Sequence, residues 1–267
     1  MPPRPVIVIT GASSGIGKAT ALRFGREGYR VVLADYREQR LRAVAQEVQR
    51  LGGEPLAVPT DVSVWAQVQA LAEETQRAFG QVDVLFNNAG FGRFGWVEAL
   101  DPQQDIEAQV RVDLLGLIWV TRAFLPMMLA QRQGHIINMG SIASLMATPM
   151  YAIYNAAKFG VRGFTEALRR EVEVMGLRVS LLCPGTVKTE FGRHTQDPRR
   201  SGVTMPPWLV LRPEEVAQAV WDLVQRPRRV RVFPWLLRPV VWVGNLLPGL
   251  TDALIRWGFT RRERGLR

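Results

Sequence analysis

The sequence is poor in cysteine, in histidine and in long apolar runs. Cys183 is the one cysteine among 267 residues, so no disulfide can form within the chain, and a disulfide-stapled secreted domain is excluded. Near the N-terminus the apolar run from Val6 to Ile9 is too short for a signal peptide, which leads us to expect a cytoplasmic protein. His135 and His194 lack metal-ligand spacing, so no metal site is predicted.

Lysine is also scarce, and the positive charge is unevenly placed. Three of the 34 basic residues are lysines, and the net charge is +10. Residues 226–267 contain ten arginines against Asp252 and Glu263, which gives this segment +8 and leaves about +2 for the rest of the chain. The basic character therefore belongs to the C-terminal tail, which argues against nucleic-acid binding by the body of the protein.

The first 185 residues alternate between short apolar runs and longer helical patterns. Such alternation predicts an α/β fold with a doubly wound parallel sheet and helices on both faces. The predicted strands cover residues 5–10, 30–34, 55–59, 82–87, 134–139 and 177–183, and the predicted helices cover about 15–28, 37–51, 63–79, 102–130 and 151–175.

After residue 231 the character of the chain changes. Residues 232–259 are mostly apolar, contain three tryptophans and are interrupted by prolines at 234, 239 and 248. We therefore divide the chain into a domain at 1–231 and a C-terminal extension at 232–267. A spanning helix needs about 20 consecutive apolar residues, which this segment does not offer. It is expected to be an anchor at the inner membrane face, a lid over an apolar pocket or a subunit interface.

A glycine-rich segment follows the first predicted strand and opens the first predicted helix. It reads Thr10-Gly11-Ala12-Ser13-Ser14-Gly15-Ile16-Gly17. Glycines allow a close approach to a pyrophosphate, and the helix N-terminus offers free N–H groups. Asp35 ends the second strand, where a carboxylate can bind an adenosine ribose, although Arg37 nearby could accept a 2′-phosphate. The alternatives are a plain glycine turn and a solvated strand-end aspartate.

Tyr154 and Lys158 are four residues apart in a predicted helix, so their side chains share one face. An ammonium beside a phenol lowers the phenol pKa from its ordinary value near ~10, which makes a usable general acid/base. Ser141 lies just past the fifth strand and could steady a substrate oxygen. The alternatives are a chance helical pair and a serine that caps a helix.

Together these residues resemble the short-chain dehydrogenase/reductase family. The match covers about residues 5–190 and keeps the family's order and spacing. It rests on six motifs: Thr10-Gly11-x3-Gly15-x-Gly17, Asp61-Val62, Asn87-Asn88-Ala89-Gly90, Ser141, Tyr154-x3-Lys158 and Pro184-Gly185-Thr186-Val187-Lys188-Thr189. The resemblance implies a Rossmann-type fold, NAD(P)(H)-dependent chemistry and a homodimer or homotetramer.

The resemblance also implies a role for each matched residue. Tyr154 would exchange a proton with the substrate, Lys158 would lower the Tyr154 pKa and hold the nicotinamide ribose, and Ser141 would orient the carbonyl oxygen. Asp35 would grip the adenosine ribose and favour NAD, while Arg37 leaves NADP open. The implied cofactor-binding set is Thr10, Gly11, Ser13, Ser14, Gly15, Ile16, Gly17, Asp35, Asp61, Val62, Asn87, Asn88, Ala89, Gly90, Tyr154, Lys158, Pro184, Gly185, Val187 and Thr189. Within it, Asp61 would meet the adenine, the backbone at 87, 89 and 90 would line the adenosine side, and the side chains at 187 and 189 would anchor the carboxamide.

One position departs from the family pattern. The family usually carries an asparagine three residues before a glycine in its long fourth helix, and here Asp113 precedes Gly116. In the family, the backbone carbonyl of that asparagine helps to hold a water in the proton relay. A backbone role survives this exchange, and a carboxylate could also pair with Lys158. Asp113 is therefore retained as a fourth candidate catalytic residue.

The expected substrate is an apolar secondary alcohol or ketone. The segments expected to line it, 91–96, 142–151 and 191–211, are rich in aromatic and methionine side chains. The predicted function is oxidation or reduction of such a compound by hydride transfer. The alternative is a dinucleotide-binding sensor or scaffold without turnover.

Overall fold

The computed structural model describes residues 4–191, 206–260 and 264–265. Its centre is a parallel sheet whose seven strands, in chain order, are β1 (Val6–Thr10), β2 (Arg30–Asp35), β3 (Glu54–Pro59), β4 (Val84–Asn87), β5 (Gly134–Met139), β6 (Leu177–Pro184) and β7 (Val230–Phe233). The first six strands confirm the predicted parallel sheet. The seventh was missing from the prediction, and it crosses the predicted boundary between residues 231 and 232 because its last residues pair with Cys183 and Pro184 of β6.

Eight helices of eight or more residues surround the sheet in the described part of the chain. They are α1 (Gly15–Arg26), α2 (Glu38–Arg50), α3 (Trp65–Phe79), α4 (Pro102–Gln131), α5 (Ala152–Val172), α6 (Pro213–Gln225), α7 (Arg238–Leu246) and α8 (Pro248–Ile255). Buried apolar side chains fill both faces of the sheet, with α1, α2 and α6 on one side and α3, α4 and α5 on the other. Both faces are therefore covered, as apolar parallel strands require.

The long helix α4 is apolar and long enough to cross a membrane by length and composition alone. In the fold it packs against the sheet, and its side chains Val120, Phe124 and Met128 are almost completely buried there. Its apolar character is accounted for by this packing. Two stretches, Pro102–Glu107 and Arg111–Gly116, are wound more loosely than an α-helix, and Asp113 lies in the second.

The strand order positions the candidate site. It runs β3-β2-β1-β4-β5-β6-β7, so the chain reverses its direction of winding between β1 and β4. At such a reversal the loops beyond the strands diverge and leave a crevice, which is where parallel α/β sheets bind ligands. The glycine-rich segment follows β1, and the Asn88-Ala89-Gly90 segment follows β4. The two segments therefore face each other across this crevice.

Candidate active site

The glycine-rich segment is held tightly against the end of β4. Thr10 Oγ1 accepts hydrogen bonds from the backbone N–H groups of Asn88 and Ala89, both at 3.0 Å. The Asn88 side-chain amide in turn donates to the Thr10 carbonyl at 2.9 Å. A Cβ placed on Gly17 would lie 2.1 Å from the Gly11 carbonyl oxygen, so a side chain there would collide with backbone. The loop is thus fixed close to the helix N-terminus, as binding of a pyrophosphate requires.

A cavity of about 600 Å³ opens beyond the carboxyl ends of β1, β2 and β4. Many predicted cofactor-binding residues line it, namely Gly11, Ser14, Gly15, Ile16, Asp35, Asp61, Val62, Asn88, Ala89, Gly90 and Thr189. The volume and the open glycine backbone fit a dinucleotide. Those residues would hold the adenosine and pyrophosphate portions of the cofactor.

Other predicted cofactor residues do not line this cavity and have contacts of their own. Thr10 and Gly17 hold the loop, and Ser13 donates its backbone N–H to Asp35 at 3.2 Å. Pro184 ends β6, and Gly185 packs beside Leu237. Val187 forms an isolated parallel bridge with Leu211.

Asn87 has a structural position that differs from its predicted role. Its side-chain amide donates to Thr121 Oγ1 at 2.8 Å and to Asn138 Oδ1 at 2.9 Å. Asn138 then donates to Thr165 Oγ1 at 2.9 Å, so the network joins two strands to two helices. The Asn87 side chain therefore has a structural role, and the predicted role of its backbone at the adenosine side stays a prediction.

Asp35 is buried and engaged by Arg37 rather than presented to the cavity as an unpaired carboxylate. The guanidinium donates to both carboxylate oxygens, at 3.0 and 3.1 Å, and also to Ser14 Oγ at 3.0 Å. Burial acts to raise the Asp35 pKa, but the hydrogen bonds from Arg37 and Ser13 outweigh it and lower that pKa. Asp35 stays ionised, and the pair forms a charge-balanced wall at the adenosine end.

Asp61 also has a local partner in the structure. Its Oδ1 accepts hydrogen bonds from the backbone and hydroxyl of Ser63, at 2.9 and 2.7 Å. This turn leads the chain from β3 into α3 and keeps Asp61 and Val62 on the cavity wall. The predicted position of Asp61 beside the adenine is compatible with this geometry and stays a prediction.

The predicted catalytic residues come together at the inner side of the crevice. Tyr154 and Lys158 lie on one face of α5, and the Lys158 ammonium is 5.6 Å from the centre of the Tyr154 ring. Lys158 is buried and donates to the Met139 carbonyl at 3.1 Å. The Ser141 hydroxyl hydrogen-bonds with Tyr154 and also accepts from the Ala143 backbone N–H at 3.1 Å. Ser141 is thus both a helix cap and a neighbour of Tyr154.

Asp113 joins this group from α4. It is completely buried, and its Oδ1 accepts a hydrogen bond from the Phe91 backbone N–H at 3.0 Å. Its Oδ2 has no hydrogen-bond partner within the described residues. Burial raises the Asp113 pKa to about 6, although the charge of Lys158 and the hydrogen bonds from Phe91 and Gln109 oppose the rise. A Cβ on Gly90 would lie 2.9 Å from Oδ1 and 3.8 Å from the Lys158 ammonium, so both charges border the same glycine.

The predicted lowering of the Tyr154 pKa is wrong. Burial raises that pKa above its ordinary value, the negative charge of Asp113 raises it further, and the hydrogen bond from Ser141 only partly opposes them. Burial also lowers the Lys158 pKa, against the charge of Asp113. The phenol is therefore held protonated in this structure, which is the form that can donate a proton.

Aromatic side chains surround Tyr154. Phe94 and Phe191 have ring centres 5.7 and 5.6 Å from that of Tyr154, and Tyr151 stacks on Phe94 at 4.3 Å. These side chains account for the burial of the tyrosine. Of the substrate-lining segment expected at 191–211, residues 192–205 lie outside the described residues.

Sequence reasoning missed two polar side chains that contribute to the site. Glu190 accepts from Arg40 at 2.9 Å and lies 3.9 Å from Arg37, so it completes the charge balance beside Asp35. Gln109 is buried one helical turn before Asp113, and it also donates to the Phe91 carbonyl at 3.2 Å. The four-residue spacing could have indicated Gln109. The contact of Glu190 with Arg40 joins residues 150 positions apart, and no local pattern in the sequence indicates it.

No metal centre is evident in the described part of the chain, where no three His, Cys, Asp or Glu side chains are grouped to hold an ion. His135 is buried in β5, and its Nε2 lies 2.8 Å from Ser180 Oγ. Burial lowers the His135 pKa to about 4, and the charge of Arg178 contributes. His194 lies outside the described residues.

Comparison with known proteins identifies this combination of loop, crevice and tyrosine–lysine pair. The family model described as short chain dehydrogenase matches residues 5–200. A 3-oxoacyl-acyl-carrier-protein reductase of Thermotoga maritima is 33% identical over 217 residues, which cover 80% of this chain and 88% of the relative. Among solved structures, a short-chain dehydrogenase/reductase of Burkholderia phymatum in complex with NAD is 32% identical, with a TM-score of 0.83 over 93% of this chain and 95% of that chain. An alcohol dehydrogenase of Thermococcus sibiricus complexed with 5-hydroxy-NADP is also 32% identical, with a TM-score of 0.76 over 86% of this chain and 95% of that chain. The chain therefore belongs to the short-chain dehydrogenase/reductase family of NAD(P)-dependent oxidoreductases.

Proposed function

We propose that the protein interconverts an apolar ketone and a secondary alcohol by hydride transfer, with Tyr154 as the general acid/base. The observation that carries the proposal is the meeting of Ser141, Tyr154 and Lys158 beside the dinucleotide-sized cavity. When bound, a nicotinamide cofactor supplies or accepts the hydride.

Three side chains of the protein would carry out proton transfer and stabilise the charges that develop. The Tyr154 hydroxyl would donate its proton to the carbonyl oxygen during reduction and recover it during oxidation. The Ser141 hydroxyl would hold that oxygen as negative charge develops on it. Lys158, fixed by the Met139 carbonyl, would offset the charge of a Tyr154 phenolate.

The surroundings of Tyr154 support an apolar substrate. Phe94, Tyr151 and Phe191 form an aromatic wall around it. Arg93, which precedes Phe94 in the chain, is paired with Asp105 at 2.7 Å, so its charge is already balanced. A carbonyl compound with an apolar body fits such a site better than a sugar or a charged acid.

NAD is the cofactor that we propose to be preferred. Asp35 and Glu190 balance the charges of Arg37 and Arg40 at the adenosine end. A 2′-phosphate would bring about two negative charges to a cluster without surplus positive charge. We further propose a cytoplasmic homodimer or homotetramer. The buried free thiol of Cys183 supports a reducing compartment.

The test is a screen of the purified protein against ketones and secondary alcohols with both cofactors, followed by the absorbance of the reduced nicotinamide. Turnover of apolar ketones that is lost in Tyr154→Phe is the expected result. Turnover in which Tyr154→Phe equals wild type would refute the assigned mechanism. If calorimetry shows dinucleotide binding but no compound is turned over, the sensor alternative is favoured instead.

A further inference from the structure

The two C-terminal helices expose an unusual concentration of large apolar side chains. Ten of the eighteen large apolar side chains that are exposed among the described residues lie between positions 235 and 257. Six of them, each 52% to 77% exposed, define what we call the C-terminal apolar face: Trp242, Leu246, Leu247, Leu250, Leu254 and Trp257. Apolar surface of this kind marks a site of contact with a partner or a membrane.

The orientation of this face is set by contacts on the opposite side of α7. Val241 is buried against the body of the protein, and the Asn245 side-chain amide donates to the Leu145 carbonyl at 3.1 Å. A Cβ on Gly244 would lie 2.9 Å from the Met146 sulfur, so the helix lies close to the loop that follows Ser141. Because these contacts hold one side of α7, Trp242 and Leu246 point outward.

A second anchor lies beyond α8. The Arg264 guanidinium is 3.8 Å from the centre of the Trp96 ring and 2.6 Å from Glu98 Oε1. The extension is therefore attached to the body both through α7 and through residue 264. Because the side of α7 that carries Val241 and Asn245 and the side chain of Arg264 contact the body, the apolar face points away from the body.

Positive charge accompanies the apolar face. After residue 225, the described part of the chain carries seven arginines and one acidic residue, Asp252. Arg231 pairs with Asp222, and Arg264 pairs with Glu98. The other five arginines are exposed and form no ion pair with a described residue; they are at positions 226, 228, 229, 238 and 256. Two of these five, at positions 238 and 256, belong to the extension, where they are four residues and one residue in sequence from the exposed Trp242 and Trp257.

We propose that the C-terminal apolar face docks on the surface of an anionic lipid bilayer. Tryptophan and arginine side by side suit the headgroup region, where apolar burial and attraction to anionic lipid act together. Helices of nine and eight residues, each with a proline in its first turn, are too short to span the bilayer and would lie along it. A symmetric contact between two copies through this face would instead put the arginines 238 and 256 of both copies at one interface without an acidic partner for them among the described residues of the face except Asp252, and an excess of like charge opposes such a contact.

The test is flotation of the full-length protein with vesicles. One set contains phosphatidylcholine and phosphatidylglycerol, and the other contains phosphatidylcholine alone. Wild type is expected to float with the anionic vesicles at low salt and less at high salt. The variant Leu246→Glu/Leu250→Glu should remain with the soluble fraction. Its matched control is Val174→Glu/Met175→Glu, which adds the same charges at exposed apolar positions elsewhere and should float like wild type.

A second variant separates the contribution of charge and does not place acidic side chains on the helices. Arg238→Gln/Arg256→Gln should weaken binding to anionic vesicles roughly 30-fold and leave binding to phosphatidylcholine nearly unchanged. Circular dichroism checks that each variant is folded. If Leu246→Glu/Leu250→Glu is unfolded, the flotation of Arg238→Gln/Arg256→Gln tests the proposal instead.

The proposal is wrong if wild type fails to float with either set, or if both variants float as wild type does. It is also wrong if light scattering shows that Leu246→Glu/Leu250→Glu breaks an oligomer while wild type never floats. That outcome would identify the face as an interface between copies. None of these readouts depends on turnover, so they stand apart from the proposed reaction.

Discussion

Replacing Asp113 by asparagine is expected to stabilise the protein at neutral and alkaline pH. In the folded protein the Asp113 pKa is raised to about 6 from an ordinary value of 3.8, mainly because the carboxyl is buried. A carboxyl whose pKa rises on folding favours the folded state while it is protonated. This contribution is complete below about pH 4 and is lost as the pH rises through 6.

The size of the effect follows from the pKa difference. At about 1.36 kcal/mol per pH unit, a rise from 3.8 to about 6 corresponds to roughly 3 kcal/mol. Asparagine resembles the protonated carboxyl in shape and carries no charge. It can still accept from the Phe91 N–H, although its amide would take the place of an Oδ2 that lacks a hydrogen-bond partner among the described residues. We therefore expect Asp113→Asn to raise the free energy of unfolding by about 2–3 kcal/mol at pH 8 and by little at pH 4.

The assay is urea unfolding of wild type and variant at several pH values between 4 and 8. An exposed aspartate that is changed in the same way, Asp252→Asn, serves as the control and should show no such pH dependence. A variant that is less stable than wild type at pH 8 would refute the reasoning. It would mean that the carboxylate gains more from Lys158 than burial costs it. The same change should lower the Tyr154 pKa, because Asp113 raises it, and so move the rise of the alcohol-oxidation rate with pH to lower pH.

Three further changes test other parts of the site. Tyr154→Phe should lower kcat by ~10²–10⁴-fold while dinucleotide binding, measured by calorimetry, persists; loss of both together would indicate a structural effect. Asp35→Ser should release Arg37 and shift the ratio of kcat/KM toward NADP, whereas a wild type that already prefers NADPH would contradict the charge-balance argument. Gly17→Ala should abolish cofactor binding, because its Cβ would lie 2.1 Å from the Gly11 carbonyl oxygen. The matched control is Gly163→Ala, at a helical position with open space around it, which should stabilise the protein by about 0.5–1 kcal/mol in the same unfolding assay.

Local patterns in the sequence predicted most of the sheet, and the missing element shows where such patterns fail. Strand β1 and the centre of β2, residues 31–34, are continuous apolar runs, which is the pattern of a strand covered on both faces. Strand β7 has four residues, lies at the sheet edge and contains Arg231. Its sequence carries no distinct strand signal, and it is a strand because β6 offers it an edge. Pairing of this kind between distant segments cannot be read from composition.

The same distinction separates what was predicted of the site from what was not. The glycine loop and the Tyr154–Lys158 pair are local in sequence, so spacing and position sufficed to predict them. The pKa of Tyr154 depends instead on burial by Phe94 and Phe191 and on the charge of Asp113, which arrive from three other segments. A prediction from the neighbouring lysine alone therefore had the wrong sign.

The order of the strands also bears on how the protein can be assembled as it leaves the ribosome. Strand β2 adds to one side of β1 and β3 adds to β2, after which β4 adds to the other side of β1 and β5, β6 and β7 follow outward in turn. Every new strand therefore joins an existing edge, and none has to insert between two strands that are already paired. The growing chain can extend its sheet in the order of synthesis, and the contacts of Arg264 with Trp96 and Glu98 can form only after all seven strands have been translated. A contact on the segment expected to line the substrate, 91–96, is therefore made by a residue that is translated after every strand of the sheet.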